Sequence, residues 1–301
     1  MQIVVASGKG GTGKTTVATS LALSAGKSSV RFIDCDVEAP NAALFLNPQM
    51  DTRREVGIQL PVVDESLCTY CGRCAEVCEF HAIAVIGKKI LIFPQLCHGC
   101  GSCTLICPEK AISERLDVMG VLESGMTATG VDFAQGVMNV GEPMAVPIIR
   151  ELKKWDGLSL RAPAEQSPDE SGGLFPEGRN DTIEIRDAPP GASCPVVETM
   201  RGADFILLVT EPTPFGLHDL KQVVGIAREL GIPSGVVINR DGIGDNAVET
   251  YCIEAGLPVL MRIPMERYIA EGVAQGKTLV DIHPEYKDRF RQMFMQIASL
   301  L

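Results

Sequence analysis

The 301-residue chain is poor in aromatic residues and in positive charge. Phe, Trp and Tyr make up 5% of it, and 27 Lys and Arg stand against 38 Asp and Glu, for a net charge of −11. Binding to nucleic acid needs a basic surface, so this balance argues against DNA or RNA as a partner. The sequence also lacks an apolar run of membrane-spanning length, which argues against a membrane partner.

A secretory signal peptide is lacking as well. Met1 leads directly into the apolar segment Ile3–Ala6 and then into a glycine-rich loop, without the charged and small-residue flanks of a leader. We therefore expect a cytoplasmic protein, whose 11 cysteines remain reduced. A regular cysteine pattern in a reducing compartment indicates metal binding.

Eight of those cysteines form two runs with one spacing, C-x2-C-x2-C-x3-C, and Pro108 follows the second run. This spacing is typical of [4Fe–4S] proteins, in which the fourth Cys of a run ligates the other cluster. The pattern resembles that of bacterial two-[4Fe–4S] ferredoxins. The resemblance implies one cluster on each of two sets: Cys68, Cys71, Cys74 and Cys107, and Cys97, Cys100, Cys103 and Cys78. Zinc is the alternative, but zinc sites favour two C-x2-C pairs with a longer spacer.

The two runs belong to an internal repeat of 29 residues, in which Cys68 corresponds to Cys97 and Ala82 to Ala111. Such a duplication lets two half-modules bury a shared pair of clusters. We predict a small inserted α+β ferredoxin-like domain at residues 60–116.

The flanking segments, 1–59 and 117–301, alternate apolar strand patterns with helical ones. This alternation predicts an α/β fold with a mostly parallel sheet flanked by helices. Within the second segment, residues 156–181 are rich in Pro, Gly, Ser and acids, and they predict a mobile acidic loop. The strand-like segment Ile183–Arg186 is more polar than a central parallel strand should be. A helical stripe of Phe290, Phe294, Ile297 and Leu301 predicts a last helix that covers the sheet.

A phosphate-binding loop lies between the first strand and the first helix. The segment Gly8-Lys9-Gly10-Gly11-Thr12-Gly13-Lys14-Thr15 fits G-x4-G-K-[ST]. Its glycines let backbone N–H groups close around phosphate oxygens, while Lys14 reaches the β/γ-phosphates and Thr15 reaches Mg²⁺. The predicted nucleotide contacts are Gly8, Gly10, Gly11, Thr12, Gly13, Lys14, Thr15 and Thr16.

The early lysine makes this motif more specific. K-G-G-x-x-K-T, from Lys9 to Thr15, resembles the deviant Walker A motif of the ATPases that include MinD, ParA, the nitrogenase iron protein and cluster-carrier ATPases. It is also similar to the nucleotide-binding domain of cobyrinic acid a,c-diamide synthases. The resemblance implies ATP or ADP as ligand and a nucleotide-dependent dimer, either of identical chains or with a paralogue. It further implies that Lys9 crosses to the partner's nucleotide and stabilises developing charge there, much as an arginine finger does. Lys9, Lys14 and Asp36 are the residues that it implies for catalysis.

Other family motifs follow in order. Asp36 stands at the position of switch I, where the resemblance implies a role in orienting the attacking water or in reaching Mg²⁺. Asp187, in D-A-P-P-G, corresponds to the Walker B strand and would hold Mg²⁺ through water. Asn239 corresponds to an adenine-reading residue, and Pro264 and Met265 to a loop that packs against the base.

The sequence as a whole predicts a MgATP-hydrolysing iron–sulfur protein. Its nucleotide-driven dimer closure would be coupled to electron transfer or to remodelling of a redox or assembly partner. One alternative is a carrier that assembles or delivers metal clusters. Another is a positioning ATPase like MinD or ParA, in which the clusters sense redox state or support the fold.

Overall fold

The computed structural model describes residues 1–26, 29–155 and 182–301, so the expected acidic loop at 156–181 lies outside the described residues. The strands are β1 Gln2–Ala6, β2 Ser29–Asp34, β3 Gln49–Val63, β4 Ile83–Ile86, β5 Lys89–Ile92, β6 Ile112–Met126, β7 Asp132–Met138, β8 Thr182–Asp187, β9 Phe205–Thr210, β10 Ser234–Asp241 and β11 Val259–Pro264. The helices are α1 Lys14–Ser24, α2 Ala43–Leu46, α3 Arg73–Glu76, α4 Ser102–Ile106, α5 Val146–Lys154, α6 Cys194–Met200, α7 Pro214–Glu229, α8 Ala247–Glu254, α9 Arg267–Ala274, α10 Leu279–Ile282 and α11 Tyr286–Leu300.

Nine of the described strands form one sheet in the order β11-β10-β9-β1-β8-β2-β7-β6-β3. The first seven in this order run parallel, and β6 and β3 are antiparallel to their neighbours. The α/β fold with a mostly parallel sheet is therefore confirmed. Because the phosphate loop follows β1, the nucleotide motifs lie at the carboxyl edge of this sheet.

Helices cover both faces of the sheet. Alternate residues of β1 point to opposite faces, so that Ile3 packs in the cluster that contains α1 and α11, and Val4 in the cluster with α6, α7 and α8. The predicted stripe of the last helix is confirmed for Phe290, Phe294 and Ile297, which are fully buried. Leu301 is 58% exposed, because the helix ends before it.

The polar strand β8 is central, and its burial was not expected from its composition. Glu184 and Arg186, two positions apart, point to the same face and are both buried. Arg186 Nε donates to Glu184 Oε1 at 2.7 Å, and its Nη2 donates to Gln2 Oε1 at 2.9 Å. The charged groups satisfy each other, which is the condition for burying charge in a core.

A long strand leads into the cysteine region. The 15 residues of β3 pair antiparallel with β6 over their whole length. Only Gly120–Met126 of β6 also pairs with β7, and Gly120 lies opposite Met138, the last residue of β7. The outer parts of β3 and β6, called the stalk below and comprising residues 57–63 and 112–119, therefore project beyond the carboxyl edge of the sheet.

Residues 64–111 lie at the end of the stalk and repeat one local structure. Tyr70 and Gly99 both have positive φ, as do Gly72 and Gly101, which precede α3 and α4. His81 and Lys110 form a third matching pair, with φ of 52° and 50°. Each pair is separated by the 29 residues of the sequence repeat, so the duplication is present in the backbone conformation.

Candidate functional site

A cavity of about 470 Å³ opens at the carboxyl edge of the sheet beside the phosphate loop. Of the residues predicted for nucleotide and catalysis, its walls include Lys9, Gly10, Gly11, Thr12, Gly13, Lys14, Thr15, Thr16, Asp36, Asn239, Pro264 and Met265. Gly8 lies behind the loop and Asp187 beneath it, outside the lining. The structure thus brings together segments that follow five different strands.

Glycine is required at specific points of the loop. Gly13 has φ of +89°, in the left-handed region that disfavours side chains. A Cβ there would also lie 2.2 Å from Asn239 Nδ2. Gly8 packs against α7, where a Cβ would lie 2.4 Å from the carbonyl oxygen of Asp219. The loop can therefore take this course only with glycine at these two positions.

Asp187 holds the two residues predicted to meet phosphate and Mg²⁺. Lys14 Nζ lies 2.6 Å from Asp187 Oδ1, and Thr15 Oγ1 donates to Asp187 Oδ2 at 2.6 Å. Burial lowers the pKa of Lys14, but the charge and hydrogen bond of Asp187 outweigh it, so the pKa lies above its ordinary value. Lys14 is therefore charged at neutral pH, and hydroxyl and carboxylate oxygens such as those of Thr15 and Asp187 are ligands that Mg²⁺ prefers.

The two aspartates after β2 have different surroundings. Asp34 is fully buried, and its carboxylate accepts hydrogen bonds from the backbone N–H groups of Asp36, Asn41 and Ala42. Burial and the nearby Asp187 raise the pKa of Asp34 to about 7. Asp36 lines the cavity, and burial raises its pKa to about 6 although Lys14 opposes the rise. Asp34 shapes the turn, and Asp36 is the carboxylate presented to the cavity.

Asn239 has both polar ends engaged. Its Nδ2 donates to the carbonyl oxygen of Thr12 at 2.7 Å, and its Oδ1 accepts from the N–H of Arg240 at 2.9 Å. Pro264 and Met265 lie in the same cavity wall, and Met265 is 51% exposed. Asn239 is thus placed beside the phosphate loop, where it supports the loop backbone; its predicted role in base reading stays a prediction.

Glu211 was not singled out from the sequence. It follows the buried strand β9, pairs with Lys9, and accepts a hydrogen bond from Arg240 Nη1 at 2.8 Å. Burial raises its pKa, but the hydrogen bond and charge of Lys9, with the charge of Arg240, lower it overall. An acidic residue directly after a strand whose first five residues are all apolar is a signal that could have indicated it.

The eight cysteines line two small cavities at the end of the stalk. One is bordered by Cys68, Cys71, Cys74 and Cys107, and the other by Cys78, Cys97, Cys100 and Cys103. Each cavity therefore takes three cysteines from one run and the last cysteine from the other run. This is the grouping that two [4Fe–4S] clusters require, so the residues present fit these groups. Among the described residues, no group of three or more Cys, His, Asp and Glu side chains is arranged to hold a single metal ion.

Backbone N–H groups point at four of the sulfurs. Those of Tyr70 and Gly99 donate to Cys68 and Cys97 at 3.4 Å. Those of Ala82 and Ala111 donate to Cys78 and Cys107 at 3.3 Å. Hydrogen bonds of this kind stabilise thiolate ligands and tune the potential of a bound cluster.

The other three cysteines are apart from these cavities. Cys35 and Cys252 are buried, and burial raises their pKa values to about 12 and about 11. Both are therefore protonated, apolar fillers of the core. Cys194 is exposed at the first residue of α6, after the D-A-P-P-G segment.

A short path of hydrogen bonds joins the Asp36 turn to the base of the stalk. The N–H of Met138 donates to the carbonyl oxygen of Val37 at 2.9 Å. The next residue, Asn139, donates from its N–H to Met119 O at 2.8 Å and from its Nδ2 to Val118 O at 3.0 Å. The nucleotide edge and the stalk are thus in direct contact at the end of β7.

Among the described residues, none of the helices combines the length and the apolar character needed to cross a membrane.

Two uncharacterized proteins of Methanocaldococcus jannaschii resemble the whole chain. One is 31% identical over 301 residues, covering 99% of this chain and 97% of its own length; the other is 27% identical over 302 residues, covering 100% and 98%. An iron-sulfur cluster carrier protein of Aquifex aeolicus is 26% identical over 132 residues, which are 39% of this chain and 36% of that protein.

Solved structures share the fold. The septum site-determining protein MinD of Pyrococcus horikoshii, in complex with Mg-ADP, aligns with a TM-score of 0.56 at 20% identity, covering 99% of this chain and 96% of that one. MinD in the MinC:MinD complex of Aquifex aeolicus aligns with a TM-score of 0.54 at 15% identity, with coverage of 99% and 96%. The family described as CobQ/CobB/MinD/ParA nucleotide binding domain matches residues 3–280. The chain belongs to this family of nucleotide-binding proteins.

Proposed function

We propose that this protein is a MgATP-hydrolysing iron–sulfur ATPase that carries two [4Fe–4S] clusters at the end of its stalk. ATP-driven closure of a dimer is coupled to electron transfer or to remodelling of a redox or assembly partner. The observation that carries the proposal is the pair of cysteine cavities, because each combines three thiols of one run with the last thiol of the other.

In the ATPase site, Lys14 and the phosphate loop bind the nucleotide, and Thr15 and Asp187 provide oxygens for Mg²⁺. Asp36 faces the cavity and is mostly ionised at neutral pH, since its pKa is about 6. It orients the attacking water or holds a water molecule of the Mg²⁺ shell. Lys9 reaches the nucleotide of a second protomer and offsets the charge that develops on the phosphates.

In the cysteine cavities, the thiolates hold the clusters, and a bound cluster supplies one-electron transfer. The four backbone N–H groups that point at sulfur offset the negative charge of the ligands. Met138 bonds to the Asp36 turn and Asn139 to the stalk, which gives the two sites a connection through which closure can act.

The test is anaerobic purification with iron counting and EPR, followed by ATPase rates of oxidised and dithionite-reduced protein. We expect about eight irons per chain and a rate that changes on reduction. Zinc in place of iron would contradict the cluster assignment. Equal rates in both redox states would contradict the coupling and leave the ATPase assignment intact.

A second candidate is a carrier that assembles or delivers metal clusters. The partial similarity to an iron-sulfur cluster carrier protein of Aquifex aeolicus supports it, as does the exposed Cys194 near the nucleotide edge. This function predicts a labile additional cluster that is lost in Cys194→Ser and transferred to an apo-protein. Retention of all iron during incubation with an apo-ferredoxin would argue against it.

A further inference from the structure

The carboxylate of Glu211 lies between two cations at the rim of the nucleotide cavity. One oxygen pairs with Lys9, and the other accepts from Arg240 Nη1 at 2.8 Å. Arg240 Nη2 also donates to the carbonyl oxygen of Gly11 at 2.9 Å, so the group braces the phosphate loop. The Glu211 side chain is 7% exposed, against 32% for Lys9 and 42% for Arg240.

The two ends of the Lys9–Glu211 pair differ in freedom. A Cβ on Gly216 would lie only 2.2 Å from the carbonyl oxygen of Glu211, so the two backbones are in close contact. The neighbouring Thr210 Oγ1 donates to Gly216 O at 3.0 Å. The position of Glu211 is therefore fixed against the start of α7. A Cβ at Gly10, by contrast, meets no atom within 4 Å. The Lys9 side chain, which is 32% exposed, can swing away from the cavity rim, whereas Glu211 cannot follow.

Glu211 is ionised at neutral pH. Burial acts to raise its pKa, but the hydrogen bond and charge of Lys9 and the charge of Arg240 hold the pKa below its ordinary value. An ionised carboxylate with so little exposure is costly without a cation beside it. Arg240 supplies that cation when Lys9 is withdrawn.

We propose that Glu211 is a positioning residue that retains Lys9 on its own protomer until the nucleotide of a second protomer competes for it. The inference rests on the proposed function, in which Lys9 acts across the dimer. On closure, Lys9 exchanges a carboxylate oxygen for phosphate oxygens, and Arg240 remains on Glu211. The Lys9–Glu211 pair must break with either nucleotide, so Glu211 weakens closure, and a triphosphate, which offers more charge than a diphosphate, offsets that cost better.

Retention of Lys9 can be measured without nucleotide. The full chain is acetylated with an amine reagent under limiting conditions, and the Lys9 peptide is quantified by mass spectrometry. We expect labelling to become about tenfold faster in Glu211→Gln, equivalent to about 1.4 kcal/mol, and slower in Arg240→Met, where Lys9 is the sole cation. The matched control is Glu151→Gln, which removes a carboxylate on α5 that pairs with Arg54 of β3. Equal rates in the wild type and Glu211→Gln overturn the proposal, as does a faster rate in Arg240→Met.

The effect on closure is measured by sedimentation equilibrium with ATP and with ADP. We expect the dimer dissociation constant with ATP to fall in Glu211→Gln by about tenfold for each Lys9 that crosses, because Lys9 no longer has to leave a carboxylate before it reaches the nucleotide of the second protomer. An unchanged dissociation constant with ATP overturns the proposal. A wild type that stays monomeric with both nucleotides contradicts the proposed dimer instead, and the labelling experiment then still reports whether Glu211 retains Lys9.

Discussion

Lys14 Nζ and Asp187 Oδ1 lie 2.6 Å apart in a buried contact that joins the phosphate loop to the end of β8. The two residues are far apart in the sequence, and each would be an isolated charge without the other. Removing one partner of a buried ion pair is strongly destabilising, because the other charge is left buried alone. The residues of the nucleotide motif therefore also contribute to the stability of the fold.

Removal of Asp187 alone is expected to destabilise the protein strongly. Asp187→Ala leaves Lys14 buried without a partner, and the free energy of unfolding should fall by about 3–5 kcal/mol. The double variant Lys14→Met/Asp187→Ala removes both charges and should lose less than the sum of the single losses. Urea denaturation of the four proteins measures the interaction. Strictly additive losses would show that the pair does not interact.

The ATPase activity should fall on acidification at a higher pH than it would with an ordinary aspartate, so the acid limb of its pH profile is shifted upward. Burial raises the pKa of Asp36 to about 6 from an ordinary value of 3.8. The carboxylate is the active form, so activity is full well above pH 6 and is lost as the pH falls through it. The pH dependence of kcat/KM is the quantity to measure, because it reports the pKa of the essential group in the free enzyme. Asp36→Asn should abolish this limb together with most of the rate, whereas Asp245→Asn should leave both; a wild-type limb near pH 4 would contradict the assignment.

The grouping of the cysteines can be tested by substitution. If the clusters are held crosswise, Cys107→Ser should remove the same EPR signal as Cys71→Ser, and Cys78→Ser the same signal as Cys100→Ser. Each variant should keep about four of about eight irons when the other cluster is stable. Loss of the Cys68 run's signal in Cys78→Ser would show that each run holds its own cluster, and the cavity grouping would then be wrong.

Gly57 offers a way to disturb the stalk without a substitution in the nucleotide site. It lies at a register shift between β3 and β6, where a Cβ would be 1.7 Å from the carbonyl oxygen of Asp117. Gly57→Ala must displace one strand and should lower the iron content, with ATP affinity unchanged. Gly225→Ala on α7 has open space and should instead stabilise the protein by roughly 0.5–1 kcal/mol. Equal iron content in both variants would contradict the expectation.

Asn239 supports the loop backbone, so its removal should affect all nucleotides alike. Asn239→Ala loses the 2.7 Å bond to the carbonyl oxygen of Thr12, and such a bond contributes about 1 kcal/mol. We expect the affinities for ATP and GTP to fall by the same factor, about fivefold, as measured by calorimetry. A selective loss of ATP binding would instead establish the role in adenine reading that the sequence suggested.

The sequence predicted the features that depend on neighbouring residues. The phosphate loop follows from glycines and lysines within one turn, and α11 from the helical stripe of Phe290, Phe294 and Ile297. Contacts between distant segments were beyond it: Lys9 meets Glu211 only because β1 and β9 are adjacent. The first half of β3 was also missed, because Gln49–Glu55 is exposed on both faces and shows no alternation. Burial of Glu184 depended on Arg186, two positions away on the same strand face.

The direction of the stalk has one more consequence. The stalk leaves the sheet at its carboxyl edge, the edge at which the nucleotide cavity opens, and four strand spacings of about 4.8 Å separate β1 from β6. A protein that docks on the cysteine cavities and a protomer that closes over the phosphate loop therefore approach from the same side. Under the proposed function, the partner and the second protomer share this one face of the molecule.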